Sequence, residues 1–392
     1  MLKYVAIAAL LCFGCEQEKV QTRPPLELQE TQDPKPEVVT TPTTDEPTGK
    51  CTFKPQTVHL EAVPTALLVM MDRSNSMKVL TTGNGSTRWQ VVSSAMQSFL
   101  KDERSQTLRV GLSFFPVELK GDPPKSCAKD ADCGLYGPCY SFSGGGICLV
   151  AAGMKPYASC DFNDYVAPVI LPAKVADQPT KVINTFSTEE QWGNTPTGPA
   201  LAGALAYLEA YAAANPNTKT ALLFATDGEP TECAPQDKNG LAAIAKAGFD
   251  KGLRTFVIGL GVGSAVMNSI ALAGSGDKQL AFLIEAKAAD AADQFLEALK
   301  DVRAAARSCE FNIKSEGELD VSKLSLSIEM NGSKDAVPYV QVETACDASK
   351  PGWYYAAAKD GSPLAVLCPS SCAVLQQGEE SILTIGDVCL SE

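Results

Sequence analysis

Ala66-Leu67-Leu68-Val69-Met70-Met71-Asp72-Arg73-Ser74-Asn75-Ser76 is the stretch on which the fold turns. Its apolar half contains no charge and no turn residue, and reads as a strand buried on both faces. Its polar half sets one carboxylate and two hydroxyls, spaced two apart, beyond the C-terminal end of that strand. In an open α/β sheet that end is where ligands bind. Such side chains are hard oxygen donors, suited to Mg2+, Mn2+ or Ca2+ and poorly suited to zinc or copper. Alone, the D-x-S-x-S spacing is short enough to occur by chance in solvated turns.

Two later stretches change its weight. Gly193-Asn194-Thr195-Pro196-Thr197-Gly198 stands just before an Ala/Leu-rich helical pattern, and Leu222-Leu223-Phe224-Ala225-Thr226-Asp227-Gly228-Glu229 is a second buried strand ending in an acid. Together and in this order, the three resemble the metal-ion-dependent adhesion site (MIDAS) of the von Willebrand factor A (vWA) family. The resemblance covers roughly residues 60–308 and implies metal-ligand roles for Asp72, Ser74, Ser76, Thr195 and Asp227. It also implies magnesium binding (or Mn2+/Ca2+), with hydroxyls bound directly and the acids acting partly through water. A partner protein's Asp or Glu carboxylate then completes the coordination, which is recognition and not catalysis. Asn194 stands where a second glycine is common in the family, and the long gap from Ser76 to Thr195 points to an insertion.

The chain has 392 residues, enough for two domains, and a formal charge of −13. That balance argues against nucleic acid, which needs a basic face, and against direct adsorption to anionic membranes. It carries 14 cysteines, which suits an oxidising compartment, and a single histidine, His59.

Met1-Leu2-Lys3 followed by the apolar run Tyr4–Phe13 reads as a secretory signal peptide, too short to span a membrane. Gly14-Cys15 at its end resembles the lipobox of bacterial lipoproteins, which implies lipidation at Cys15 and leans towards the outer membrane. Residues 1–15 are thus a leader, and 16–50, rich in Pro, Thr, Glu and Gln, a disordered tether. Membrane contact is expected only through the lipid.

Residues 51–309 alternate buried strands with helical patterns, which predicts an α/β domain with a doubly wound, mostly parallel sheet. Thr87 and Gln90 have capping-box spacing at the start of a helix. A Cys-rich insertion at about 120–165 lacks C-x2-C spacing and histidine, so zinc is not indicated. Its Asp130, Asp132, Asp161 and Asp164 read as loop acids. From Cys309 the period changes to two, with Asn331-Gly332 as a hairpin turn, so 310–392 reads as a small disulfide-bonded β domain. Strands are expected there around Val340–Val342, Leu364–Leu367 and Ile382–Ile385.

Loss of Cys12 with the leader and lipidation of Cys15 leave twelve cysteines of the 14, hence six bonds and no free thiol. Proximity pairs Cys127–Cys139 and Cys133–Cys148, and leaves Cys160–Cys233 beside the metal site. Cys51 and Cys309 bracket the α/β region, whose termini lie on one side in this topology, so a Cys51–Cys309 bond is expected; the alternative is that Cys309 belongs to the C-terminal domain and pairs with Cys389 or Cys346.

The function that follows is a cell-envelope, metal-dependent protein-binding module of adhesion type. One alternative makes the α/β domain a scaffold, with binding by the insertion or the C-terminal domain. A second is an envelope hydrolase, for which no G-x-S-x-G elbow is present and His59 is poorly placed.

Overall fold

The computed structural model describes residues 58–385, apart from 82–84, 122–123, 137–138, 149–157, 262–263, 277–278, 316–323, 331–332, 359 and 378–381. The leader with Cys15, the tether and Cys51 and Cys389 lie outside the described residues.

After β1 (Val58–Ala62), the chain enters β2 (Thr65–Asp72), whose residues Ala66–Met71 are all 1% exposed or less. Period-two alternation sends Leu67, Val69 and Met71 to one core and Leu68 and Met70 to another. Such a strand is buried on both faces and must sit mid-sheet. It is flanked by β3 (Arg109–Phe115) and β7 (Lys219–Thr226), with β8 (Arg254–Leu260) and the short β9 (Phe282–Ile284) beyond β7. These five strands are parallel. At the far edge β6 (Ile170–Lys174) pairs antiparallel to β3. The sequence reading missed β6 because Pro172 breaks the strand pattern, and a strand lacking one N–H belongs at an edge.

The first core is covered by α1 (Arg88–Lys101), α2 (Pro179–Thr188) and α6 (Ala291–Ala305), which supply Trp89, Phe99, Phe186, Phe295 and Leu299. The second lies under α3 (Thr197–Ala214), α4 (Lys238–Phe249) and α5 (Ser264–Ser275), with Leu201, Leu208, Leu241 and Ile270. Helices on both faces of a mostly parallel sheet make the expected doubly wound α/β domain.

The insertion is braced by Cys127–Cys139 and Cys133–Cys148 across the hairpin of β4 (Cys139–Phe142) and β5 (Gly145–Cys148). Its acids cap local backbone: Asp132 accepts from Ala128 and Lys129 N–H, and Asp130 from Cys139 N–H. Cys127, Cys133 and Cys148 form the one three-residue cluster of His, Cys, Asp or Glu ligand atoms among the described residues, and all three are in disulfides. The end of the insertion lies over α3, where a Cβ on Gly203 would stand 2.5 Å from Phe162 O and 2.6 Å from Tyr165 Cβ. That cover explains why α3 is apolar on more than one face.

Beyond α6 come β10 (Glu310–Ser315), β11 (Leu326–Met330), β12 (Ser333–Val337), β13 (Trp353–Ala357), β14 (Pro363–Leu367), α7 (Pro369–Gln377) and β15 (Ile382–Ile385). They form two antiparallel sheets, β1-β10-β14-β13 and β12-β11-β15, around Phe311, Ile328, Trp353, Ala365 and Leu367. β1 therefore belongs with the C-terminal strands and not with the α/β sheet, so the α/β region sits between two neighbouring strands of the β module. β11 and β12 pair antiparallel across Asn331-Gly332, which lies outside the described residues. No strand forms at Val340–Val342; a 3-10 turn follows at Glu343–Ala345.

The expected Cys51–Cys309 bond is corrected: Cys309 is bonded to Cys372. The reason is sheet pairing. Cys309 O accepts Leu367 N–H at 2.9 Å as β10 begins, which sets Cys309 beside α7. Cys160–Cys233 and Cys346–Cys368 complete five bonds among the described residues. Titration of thiols in denatured, unreduced mature protein is expected to find none; two free thiols per chain would show that Cys51 and Cys389 stay unpaired.

Candidate metal centre

Asp72 ends β2 fully buried, on the α3 side with Leu68 and Met70. Its Oδ1 accepts Ser74 N–H at 2.7 Å and its Oδ2 accepts Thr226 Oγ1–H at 2.5 Å. Both carboxylate oxygens are therefore fixed, one by the turn that follows β2 and one by the end of the adjacent strand β7. The residue between the ligands is turned elsewhere: Arg73 donates to Pro116 O, pairs with Glu189 and lies over the Phe114 and Trp192 rings. Ser74 and Ser76 hydroxyls stand 2.8 Å apart, and Ser76 Oγ donates to Asp227 Oδ1 at 2.7 Å.

The loop before α3 is stapled to the first loop by Asn75 N–H to Gly193 O (3.1 Å) and Trp192 N–H to Arg73 O (2.8 Å). It is held from the other side by Thr231. Thr195 N–H donates to Thr231 Oγ1 at 3.0 Å, and Thr231 N–H returns to Thr195 O at 3.2 Å. Asn194 bonds Glu232 through its side chain. A Cβ on Gly228 would lie 3.0 Å from Thr195 Oγ1 and 3.5 Å from Ser76 Oγ. The two hydroxyls thus converge on one point that a side chain at 228 would fill. The five residues Asp72, Ser74, Ser76, Thr195 and Asp227, far apart in sequence, are brought together by the ends of β2 and β7 and the loop before α3.

Burial pushes the Asp72 carboxyl up to about 7, with the charge of Asp227 adding to it and bonds from Thr226 and Ser74 offsetting part. Asp227 is also raised, by burial first, against bonds from Arg88 and Ser76. Two buried carboxylates that resist ionisation, faced by three hydroxyls and an open point, form a donor set that fits a hard divalent cation. Asp72, Ser74, Ser76 and Thr195 would hold it, with Asp227 behind Ser76.

No protein-family model and no curated protein matches the chain. It is similar to several solved structures. Proximal thread matrix protein 1 of the mussel byssus shares 12% identity over 62% of this chain and 49% of its own, at a TM-score of 0.37. The chain thus spans about half the length of that protein. The SpRpn10 VWA domain shares 15% over 59% of this chain and 94% of its own, at 0.38. Manganese-loaded Plasmodium vivax TRAP shares 11% over 67% and 83%, at 0.32.

Three further residues shape the site: Thr226, Thr231 and Arg88. Thr226 and Thr231 carry no sequence signal that sets them apart from other strand and loop threonines. Arg88 does. It is the first residue of α1, held there by the Thr87–Gln90 capping box, whose two bonds both form. A cation at a helix N-terminus opposes the macrodipole, so its presence there marks an outside anion. That anion is Asp227, 2.8 Å away.

Proposed function

We propose that the chain is a cell-envelope module that binds a divalent cation and, through it, a carboxylate of a protein partner. What carries the reading is the point left open by Gly228, on which the Thr195 and Ser76 hydroxyls converge beside two buried acids. A bound Mg2+ or Mn2+ would supply a Lewis-acid position for the partner's Asp or Glu. Asp72 fixes the loop through Ser74 N–H, Thr231 fixes Thr195, and Asp227 orients the Ser76 hydroxyl. His59 lies on β1, which pairs with β10 and not with the α/β sheet that carries the site. The leader and Cys15 give the module a lipid anchor, with 16–50 as spacer. Five disulfides suit an oxidising compartment, and no helix among the described residues is long and apolar enough to cross a membrane.

Pull-down of envelope proteins on the mature chain, with and without EDTA, tests this. Partner capture is expected to be lost in EDTA and in Asp227→Ala. A second reading places binding on the insertion, because Tyr140 and Phe142 are 61% and 52% exposed on one side of a doubly bridged hairpin. Capture that survives Asp227→Ala and is lost in Tyr140→Ala, Phe142→Ala would favour that reading.

Gly228→Ala gives a sharper expectation. The added methyl enters the open point at 3.0 Å from Thr195 Oγ1. Mg2+ affinity should fall at least about tenfold, on the scale of lost supporting contacts at metal sites. Calorimetric titration against wild type checks it, and unchanged affinity would show that the ion does not sit there.

A further inference from the structure

Asp227 already carries a cation against it. Arg88 Nη1 donates to Asp227 Oδ2 at 2.8 Å and to Asp227 O at 3.2 Å, while Ser76 takes Oδ1. The Asp227 side chain is wholly buried and that of Arg88 is 20% exposed. The backbone that carries the guanidinium is fixed as well. Thr87 and Gln90 cap α1, and Arg88 N–H donates to Val79 O at 3.0 Å. Its other end faces Gly261, where a Cβ would come within 3.6 Å of Nη2. Arg88 is therefore a seated group and not a passing surface charge.

Its position has two electrostatic consequences. The two site acids bring a formal charge of about −2, and Arg88 returns one positive charge to the same buried volume. An ion at the Ser74 and Ser76 hydroxyls would lie close to that guanidinium and be repelled by it. With Oδ2 bonded to Arg88 and Oδ1 to Ser76, Asp227 is also fully engaged without touching an ion.

Resting on the proposed metal-binding reading, we infer that Arg88 is a positioning residue that acts as the resident counter-ion of the centre. It neutralises Asp227 in the metal-free protein, holds that carboxylate in the outer coordination shell, and lowers the affinity of the site for divalent cations. A merely structural arginine would have the opposite sign, since its loss would loosen the site and weaken binding.

The test is calorimetric titration of Mg2+ into the metal-stripped mature chain, comparing wild type with Arg88→Gln and Arg88→Lys. Gln keeps a hydrogen-bond donor and removes the charge; Lys keeps the charge and removes the fork. Arg88→Gln is expected to bind Mg2+ about tenfold more tightly than wild type, and Arg88→Lys to stay within about threefold of it. A folded Arg88→Gln that binds no more tightly than wild type overturns the inference. If Arg88→Gln is unfolded in EDTA, recovery of its circular dichroism on adding Mg2+ supports the inference, because one cation then replaces another; no recovery overturns it. Absence of binding in wild type with binding in Arg88→Gln supports it as well. Absence in all three removes the metal-binding reading and this inference together, whereas binding in wild type with no gain in Arg88→Gln removes the inference alone.

Discussion

Asp72→Asn is expected to raise the melting temperature of the metal-free protein at about pH 8 and to abolish its response to Mg2+. The Asp72 carboxyl is raised from 3.8 to about 7, chiefly by burial and then by Asp227. A folded-state value above the unfolded one means that the folded chain takes up a proton the unfolded chain lacks. The associated stability is fully present below 3.8 and is lost as pH rises through about 7. The loss is on the order of 4 kcal/mol at alkaline pH. Asn cannot ionise and keeps the shape of the side chain, though it keeps only one acceptor for Ser74 N–H and Thr226 Oγ1–H. A net gain of about 2–3 kcal/mol, or about 5 °C or more, should remain. Melting curves in EDTA from about pH 5 to 9 should slope downward for wild type and less steeply for the variant, in which Asp227 is the raised acid that remains at the site. Added Mg2+ should lift wild type most at the alkaline end, where the site is charged and uncompensated. A variant that is less stable than wild type at about pH 8 and still gains from Mg2+ would contradict this.

The second large effect concerns Cys160–Cys233, which closes a separation of 73 residues beside the site. The chain-entropy model gives such a loop about 4 kcal/mol, an upper figure. Cys233 also sits at φ +63°, a left-handed backbone that a non-glycine residue leaves when nothing holds it there. Thr231 is two residues away and makes both bonds that fix Thr195. Replacing both cysteines with serine should therefore cost stability and also weaken Mg2+ binding about tenfold or more. Hydrogen exchange should speed up at the amides of Thr195 and Thr231. Lost stability with unchanged metal affinity and unchanged exchange at these two amides would confine the bond to a structural role.

The parts of this fold legible from sequence are those set by local physics. β2 and β7 are continuous apolar runs because each is covered on both faces. The start of α1 is written in Thr87 and Gln90. What could not be read depends on distant partners. β1 looks like any alternating strand, and nothing local says that it pairs with β10 some 250 residues on. Pro369 opens α7 at a helix N-terminus, where proline is tolerated, but the short segment Pro369–Gln377 carries no strong helical period to mark it. The same non-local pairing set Cys309 against Cys372. Among the candidate site residues, the oxygen donors were visible because their chemistry is distinctive. Thr226 and Thr231 were not, because their role exists only once β2, β7 and the 193–198 loop meet.

We propose that one divalent cation is held by Asp72, Ser74, Ser76 and Thr195, with Asp227 behind Ser76. Calorimetric titration of Mg2+ into the EDTA-stripped, dialysed mature chain tests it directly, with the Asp72→Ala, Asp227→Ala double variant as the comparison. Saturable binding at a single site in wild type, absent from a folded double variant, is the predicted result. Equal binding by the two proteins, or none by wild type up to millimolar Mg2+ and Mn2+, would contradict the claim.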